Sequence, residues 1–299
     1  MTDKAIAIIT DDPGWHGRQL VDGFAERGYE SRYVRLQDCH FELKQNTAVI
    51  NIPGFESLPA GVFVRGIPGG SLEEVIYYLD VLHGLEAMGV KVVNNVHSIE
   101  RSVDKGMTSF LLKLHGISTP NSFYSSNLHY INKKVREGIE QGKQFVLKPV
   151  FGSQGKGVQK ISSQQDFVDY SEMHGVIYAQ EFVDAGYDVG VDYRVFVVGD
   201  KVVSCMKRTG EDWITNVAQG GQVEAIELDQ SVLDMSLKSV KALNLEYAGV
   251  DLIQDTTGKF WVTEVNSVPA WKGLQTTTED KIVDYIIDDF LSRCGLVAK

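Results

Sequence analysis

Short apolar runs and amphipathic stretches alternate along the first hundred residues. AIAIIT at 5–10 is a continuous apolar run that ends in a polar loop, DDPGWHG. Residues 18–27 then follow a helical period, and Tyr29–Leu36 reads as a second strand. GVFVRG at 61–66, a glycine turn, a helix over Leu72–Met88 and a strand over Lys91–Val93 repeat the arrangement. Strands alternating with helices predict a parallel sheet covered on both faces. Pro13 and Gly14 predict a tight turn after the first strand, at the edge where open α/β sheets collect ligands. The loop lacks the GxGxxG spacing of a dinucleotide site.

Ile99, Val103, Met107, Phe110, Leu111 and Leu114 recur at three- and four-residue steps, predicting one helix over 99–116 that His115-Gly116 and Pro120 close. From about residue 144 the period shifts towards two: FVLKPV, a glycine loop, GVQKI, then VIYAQEFV after a short helix near 164–173. The run DYRVFVVGDKVVSCMKR contains Gly199-Asp200, a two-residue hairpin turn. A helix near 229–243 precedes strands Tyr247–Ile253 and Phe260–Val265, and an amphipathic helix over roughly 279–292 follows. The expected fold class is α/β plus α+β: an open parallel-sheet lobe, then an antiparallel body. The chain has no internal repeat and no low-complexity linker.

With 299 residues, 43% of them hydrophobic, the chain is long enough for two or three lobes. Its formal net charge of −11 argues against nucleic acid and anionic membranes as partners, while leaving room for a local basic pocket. Cys39, Cys205 and Cys294 are far apart and follow no metal-ligand spacing, which predicts idle thiols in a reducing compartment. The seven histidines form no HxxxH or HxH pair. No apolar run approaches the ~18–20 residues of a membrane span, and MTDKAIAIITDD reads as a first strand, not as a signal peptide. The expected location is the cytoplasm.

The densest chemistry lies in AGVDLIQDTTGKFWVTEVNSVPAWKGLQ at 248–275. Folding the two strands about the turn through Asp255 and Gly258 places Asp251 opposite Glu264, and Asn266 shares a face with Glu264. Two carboxylates and an amide oxygen are hard donors that suit Mg²⁺, with Mn²⁺ an alternative. Facing carboxylates repel, so a cation belongs between them; a solvated polar face is the other reading. Lys148 sits within a strand, and Phe151-Gly152-Ser153-Gln154-Gly155-Lys156-Gly157 follows it. Such glycines let main-chain N–H groups approach a polyphosphate, although the stretch is no Walker A motif and a simple turn stays open.

Lys105 in VDKGMTSFLLKLHGISTP, Lys148 with its glycine loop, QEFV at 180–183, DYRVFVVGD at 192–200 and the Asp251/Glu264/Asn266 hairpin stand in an order that resembles the ATP-grasp enzymes. The resemblance covers about 95–275 and is nearest to RimK-type glutamate ligases. GVFVRGIPGGS, LDVLHGLEAMGVKVVNN and IERSVDK further resemble the tetrahydromethanopterin α-L-glutamate ligase-like group. The resemblance implies a pre-ATP-grasp lobe at 1–98, a central and lid subdomain at 99–183 and a C-terminal subdomain with the metal site at 184–299. It implies that Lys105 and Lys148 contact ATP phosphates, with Gly152, Ser153, Gln154, Gly155 and Gly157 closing over them. Gln180, Glu181, Phe182 and Val183 would form the adenine hinge, Asp192 would reach the ribose, and Lys207 would assist. Arg194 and Arg208 would bind carboxylate or γ-phosphate, Asn216 would border the acyl phosphate, and Asp251, Glu264 and Asn266 would hold one or two metal ions. The family often carries Arg or Lys where this chain has Ile214; if that cation holds phosphate, either Lys207 or Arg208 compensates or ATP affinity suffers.

The implied reaction forms an acyl phosphate from ATP and a carboxylated small molecule, which the amine of L-glutamate then displaces. Arg65, Trp271 and Lys272 are candidates for the acceptor pocket, against surface or core-packing roles; Trp213 carries the same ambiguity. Two other readings stay open: a protein or peptide C-terminus as acceptor, and an ATP-binding regulatory protein without turnover. By analogy with RimK-type enzymes a homo-oligomer is expected.

Overall fold

The structure is a computed structural model that describes residues 5–152, 156–166, 173–187, 189–210 and 221–297. Ser153, Gln154, Gly155, Trp213, Ile214, Asn216 and part of the helix expected near 164–173 lie outside the described residues. The chain divides into two compact units: Met1–Ile99 with Leu245–Tyr247 and Val268–Lys299, and Glu100–Asn244 with Ala248–Ser267.

The first unit holds a four-stranded sheet built from β1 (Ile6–Ile9), β2 (Ser31–Val34), β5 (Gly61–Val64) and β6 (Val92–Val93), in the order β2-β1-β5-β6. All its pairings are parallel. Every residue of β1 and β5 is buried, as continuous apolar strands in a parallel sheet require. Helix α1 (Gly14–Glu26) starts four residues earlier than the periodicity predicts. Pro13 is its N-cap, and Gly14, at φ 47°, turns the chain into the helix where the Pro13-Gly14 pair predicts a turn. Helix α2 (Leu72–Ala87) begins with a capping box between Ser71 and Glu74. A hairpin of β3 (His40–Lys44) and β4 (Thr47–Asn51), absent from the sequence reading, joins the same unit. Helix α8 (Ile282–Arg293) packs on α1, with the Phe24 and Phe290 rings 5.3 Å apart.

The expected single helix over 99–116 is two: α3 (Val96–Val103) and α4 (Lys105–Leu114). Asp104 breaks the run and caps α4, its carboxylate accepting from the Met107 amide at 2.9 Å. The apolar stripe Val103, Met107, Phe110 and Leu114 is exposed. The buried face of α4 is instead Gly106, Thr108, Ser109 and Leu112. Small and hydroxyl-bearing residues allow close packing there, which apolar periodicity cannot register.

The second unit contains two antiparallel sheets. One is ordered β7-β10-β8-β9, from β7 (Ser122–Ser125), β8 (Phe145–Lys148), β9 (Gln159–Ile161) and β10 (Ile177–Glu181). Helix α5 (Leu128–Glu140) covers it, burying Ile131 and Val135 against Phe145, Leu147 and Ala179. The other is ordered β13-β12-β11-β14-β15, from β11 (Val191–Val198), β12 (Lys201–Thr209), β13 (Gln222–Ala225), β14 (Tyr247–Gln254) and β15 (Phe260–Asn266). Helix α6 (Gln230–Ala242) packs on this sheet. Gly199, with φ 57°, turns β11 into β12 as its Gly-Asp dipeptide predicts. No helix among the described residues is long and apolar enough to cross a membrane.

Candidate active site

The hairpin of β14 and β15 pairs Asp251 with Glu264, as expected, and Gly249 with Asn266. Its turn is held by Asp255, whose Oδ1 accepts from the Thr257 and Lys259 amides at 2.9 and 3.0 Å. From that turn the strands pair Gln254 with Phe260, Ile253 with Trp261 and Leu252 with Val262, and a β-bulge between Asp251 and Leu252 shifts the register by one, so that Glu264 and not Thr263 faces Asp251.

Asp251 is nearly buried, and cations surround it. Arg194 on β11 grips it with two prongs: Nε to Oδ1 and Nη2 to Oδ2, both 2.6 Å. Arg208 on β12 lies 3.1 Å from Oδ1, and Asn266 donates to Oδ2 at 3.4 Å. Burial alone would raise the Asp251 carboxyl, but the Arg194 and Arg208 guanidiniums hold it down at about 2. Arg208 also forks onto Asp192 at 2.6 and 2.7 Å. The Asp192 carboxylate is thus held by Arg208 on the face of the sheet that carries Asp251.

Lys207 does not join this cluster. Successive strand residues point to opposite faces, and Lys207 pairs with Tyr193 while Arg208 pairs with Asp192. It therefore stands on the face of the sheet opposite Arg208.

Lys105 is the first residue of α4. Its Nζ donates to the Gly152 carbonyl at 2.9 Å and lies 3.9 Å from Glu264 Oε1, so it links the start of the glycine loop to the carboxylate hairpin. Gly152 and Gly157 bound that loop, Gly157 with φ 70°. Lys148 ends β8 and donates to Gln180 Oε1 at 2.8 Å. Gln180 in turn donates to the Tyr178 hydroxyl at 2.8 Å, which lies 2.7 Å from Ser109 Oγ and 3.1 Å from Ser122 Oγ. Burial pushes the Lys148 ammonium down from its ordinary value, Glu264 raises it, and the neighbouring Lys105 lowers it again.

The hinge side chains are differently engaged. Glu181 pairs with Lys143 at 2.6 Å, and the Phe182 ring carries Lys160 Nζ at 3.6 Å from its centroid. The Glu181 and Phe182 amides donate to the Asn121 and Gln144 carbonyls, both at 2.8 Å. A cavity of about 220 Å³ opens on Glu181, Phe182 and Val183, bounded by Asp255, Thr256 and Trp261.

The second unit thus gathers four cations, Lys105, Lys148, Arg194 and Arg208, and three carboxylates, Asp192, Asp251 and Glu264. Glu264, Asn266 and Asp251 offer hard oxygens without thiolate or imidazole, which fits a magnesium-type ion. The RimK-like ATP-grasp domain model matches residues 102–290. This chain belongs to the RimK-like ATP-grasp family. A tetrahydromethanopterin:alpha-L-glutamate ligase from Methanococcus maripaludis is 36% identical over 236 residues, covering 77% of this chain and 78% of the relative. The protein so described from Methanocaldococcus jannaschii is 34% identical over 237 residues, with the same 77% and 78% coverage. Among solved structures, the ATP-grasp ligase PsnB complexed with minimal precursor aligns over 98% of this chain and 100% of its own, with TM-score 0.75 and 20% identity. The fold is therefore the ATP-grasp fold, and the protein is an ATP-grasp carbon–nitrogen ligase.

In the first unit, the candidates Arg65, Trp271 and Lys272 come together around His16, which sequence reasoning passed over. Trp271 is fully buried and Lys272 is exposed. The Trp271 ring therefore packs in the core and offers no face for stacking on a flat ligand. The signal for His16 was the early start of α1: with Gly14 opening the helix, His16 falls in its first turn.

Proposed function

We propose that this chain is an ATP-dependent α-L-glutamate ligase that extends a carboxylated small molecule of the tetrahydromethanopterin type. The observation that carries this reading is the cation set around the Asp251/Glu264 hairpin. Two anions, a substrate carboxylate and the ATP γ-phosphoryl group, must meet there, and Lys105, Lys148, Arg194 and Arg208 offset their repulsion.

Glu264 and Asn266 would hold Mg²⁺, with Asp251 joining once Arg194 moves off it. The metal would supply charge neutralisation at the phosphate oxygens. Lys105 and Lys148 would bind phosphate oxygens, Lys105 carrying the Gly152 end of the glycine loop with it. The hinge amides of Glu181 and Phe182 are already bonded within the fold, so adenine recognition would fall to Val183 and main-chain carbonyls. Carboxylate attack on the γ-phosphorus forms the acyl phosphate and releases ADP. The glutamate amine then attacks the acyl carbon, and phosphate departs with the C–O bond electrons as the amide forms. Arg194, freed from Asp251, would hold the transferred phosphoryl group. No covalent enzyme nucleophile is needed.

The test is Mg²⁺-dependent ADP release with L-glutamate, with and without tetrahydromethanopterin. Release that requires both supports the reading. Release with glutamate and a peptide bearing a free C-terminus, but not with the pterin, moves the acceptor to peptides. ADP release independent of both overturns the acceptor assignment.

A further inference from the structure

The first turn of α1 is tied to the segment that follows the carboxylate hairpin. His16 Nε2 lies 3.1 Å from the Trp271 amide and 3.2 Å from the Lys272 amide, and both N–H groups donate to it. Two donors on one ring nitrogen need its lone pair. The imidazole is therefore neutral, with its proton on Nδ1.

Aromatic edges fix the ring: Trp15 at 5.1 Å and Trp271 at 4.5 Å between centroids. The Arg65 guanidinium lies 5.6 Å from the Trp271 ring centroid, and its Nη1 donates to the Val268 carbonyl at 3.4 Å. Arg65 follows β5 and is more than half buried, yet no described carboxylate stands within ion-pair distance of it. Burial pushes this guanidinium down from its ordinary value. A mostly desolvated cation whose acidic neighbour, Asp12, lies beyond ion-pair distance is costly, and a ligand carboxylate would remove that cost through a forked contact. The location suits a ligand, because residues beyond the carboxyl ends of parallel strands line the crevice of open α/β sheets.

We propose that His16 is a positioning residue of the ligase, latching the Val268–Lys272 segment through its unprotonated Nε2 and thereby setting Arg65 to receive a carboxylate of the acceptor. The acceptor clause rests on the ligase reading; the latch does not. His16 is faced by Arg65 beyond β5 and by Lys272 at the start of the short helix α7 (Lys272–Gln275). Asp12 on the preceding loop and Tyr247 on β14 act on Arg65 in turn. Burial first, then the two cations, push the imidazole down to about 4, so the latch stays closed at neutral pH.

Two variants of the full chain test this. His16→Phe keeps an aromatic ring between Trp15 and Trp271 but removes the acceptor; His16→Gln puts an oxygen back within reach of both amides. Hydrogen exchange is read by mass spectrometry on the peptide spanning 268–275, with circular dichroism as the fold control. His16→Phe should speed exchange there at least tenfold and His16→Gln should restore most of the protection. Unchanged protection in a folded His16→Phe overturns the latch whatever the chain ligates. In the ADP-release assay, KM for tetrahydromethanopterin should rise about tenfold in His16→Phe with KM for ATP unchanged, and His16→Gln should bring it back. Faster exchange with unaltered KM values overturns the positioning role. A wild-type chain that neither turns over nor binds the pterin by calorimetry overturns the acceptor clause, while the exchange data decide the latch alone.

Discussion

Arg194 and Asp251 form a two-pronged ion pair, each prong 2.6 Å long, on neighbouring strands of the five-stranded sheet. Arg208 adds a third contact to the same carboxylate. Glu264, the register partner of Asp251, pairs among the described residues with Lys105 at 3.9 Å, and its side chain is 33% exposed. The two acids of one hairpin therefore differ in what they hold together. Asp251→Asn leaves two guanidiniums without their shared anion and should cost about 3–5 kcal/mol of stability. Glu264→Gln should cost no more than about 0.5 kcal/mol and abolish ADP formation. Urea unfolding with an ADP assay separates the two, and near-normal turnover of Glu264→Gln would sink the metal assignment.

The same pair implies a competition. A guanidinium on Asp251 occupies the oxygens that a divalent cation needs. Arg194→Met should therefore tighten nucleotide-free Mn²⁺ binding several-fold, read by the loss of the free-ion paramagnetic resonance signal. Unchanged affinity would mean that Asp251 lies outside the metal's reach.

Lys148→Ala should weaken ATP binding by tenfold or more, measured by calorimetry, because an ammonium that burial has largely desolvated is removed from the proposed phosphate-binding set. The hydrogen-bond chain through Gln180 and Tyr178 should survive, since Tyr178 keeps both serine partners. An unchanged affinity would make Lys148 a structural partner of Gln180 only.

Helix α4 offers a purely structural test. A Cβ at Gly106 would collide with the Tyr124 ring, whose hydroxyl also donates to Asp104 at 3.3 Å. Gly106→Ala should destabilise by about 1–3 kcal/mol despite the better helix propensity of Ala. A thermal midpoint equal to wild type would show that Tyr124 moves aside freely.

The residues differ in how well the sequence announced them. Asp251 opposite Glu264 was expected from folding the two strands about the turn, but a turn of that length alone would set Asp251 against Thr263; the β-bulge beside Asp251, which a period of two does not register, brings Glu264 into place. The Gly199 turn was readable because few residues adopt its backbone conformation. The α3–α4 break was not, since Asp104 interrupts a stripe whose apolar spacing continues across it and whose inward face is Gly106, Thr108 and Ser109. Helix α5 and strand β7 escaped because LHYINKKVREGIE buries little beyond Ile131 and Val135. Return of residues 268–299 to the first unit depends on α8 meeting α1, a long-range contact that local pattern does not encode. The engagement of Asp192 with Arg208 is a choice between side-chain partners, visible only once β11 and β12 are in register.

His16 makes stability depend on pH in a window of its own. Its pKa is lowered from 6.5 to about 4 by burial, Arg65 and Lys272. The folded chain therefore resists a proton that the unfolded chain accepts. Stability is fully present above about pH 6.5, falls as pH drops below that value, and levels off once pH passes below the folded pKa. Between pH 7 and pH 5 this group should remove about 1–2 kcal/mol, because part of the shift is screened by solvent. His16→Gln lacks the titrating group, so its unfolding free energy should fall less over that interval than that of the wild type. Denaturant melts at pH 7, 6 and 5 measure the difference. Parallel curves for the two proteins would mean that His16 takes up its proton in the folded chain as readily as in the unfolded one, and that its Nε2 does not hold the Trp271 and Lys272 amides.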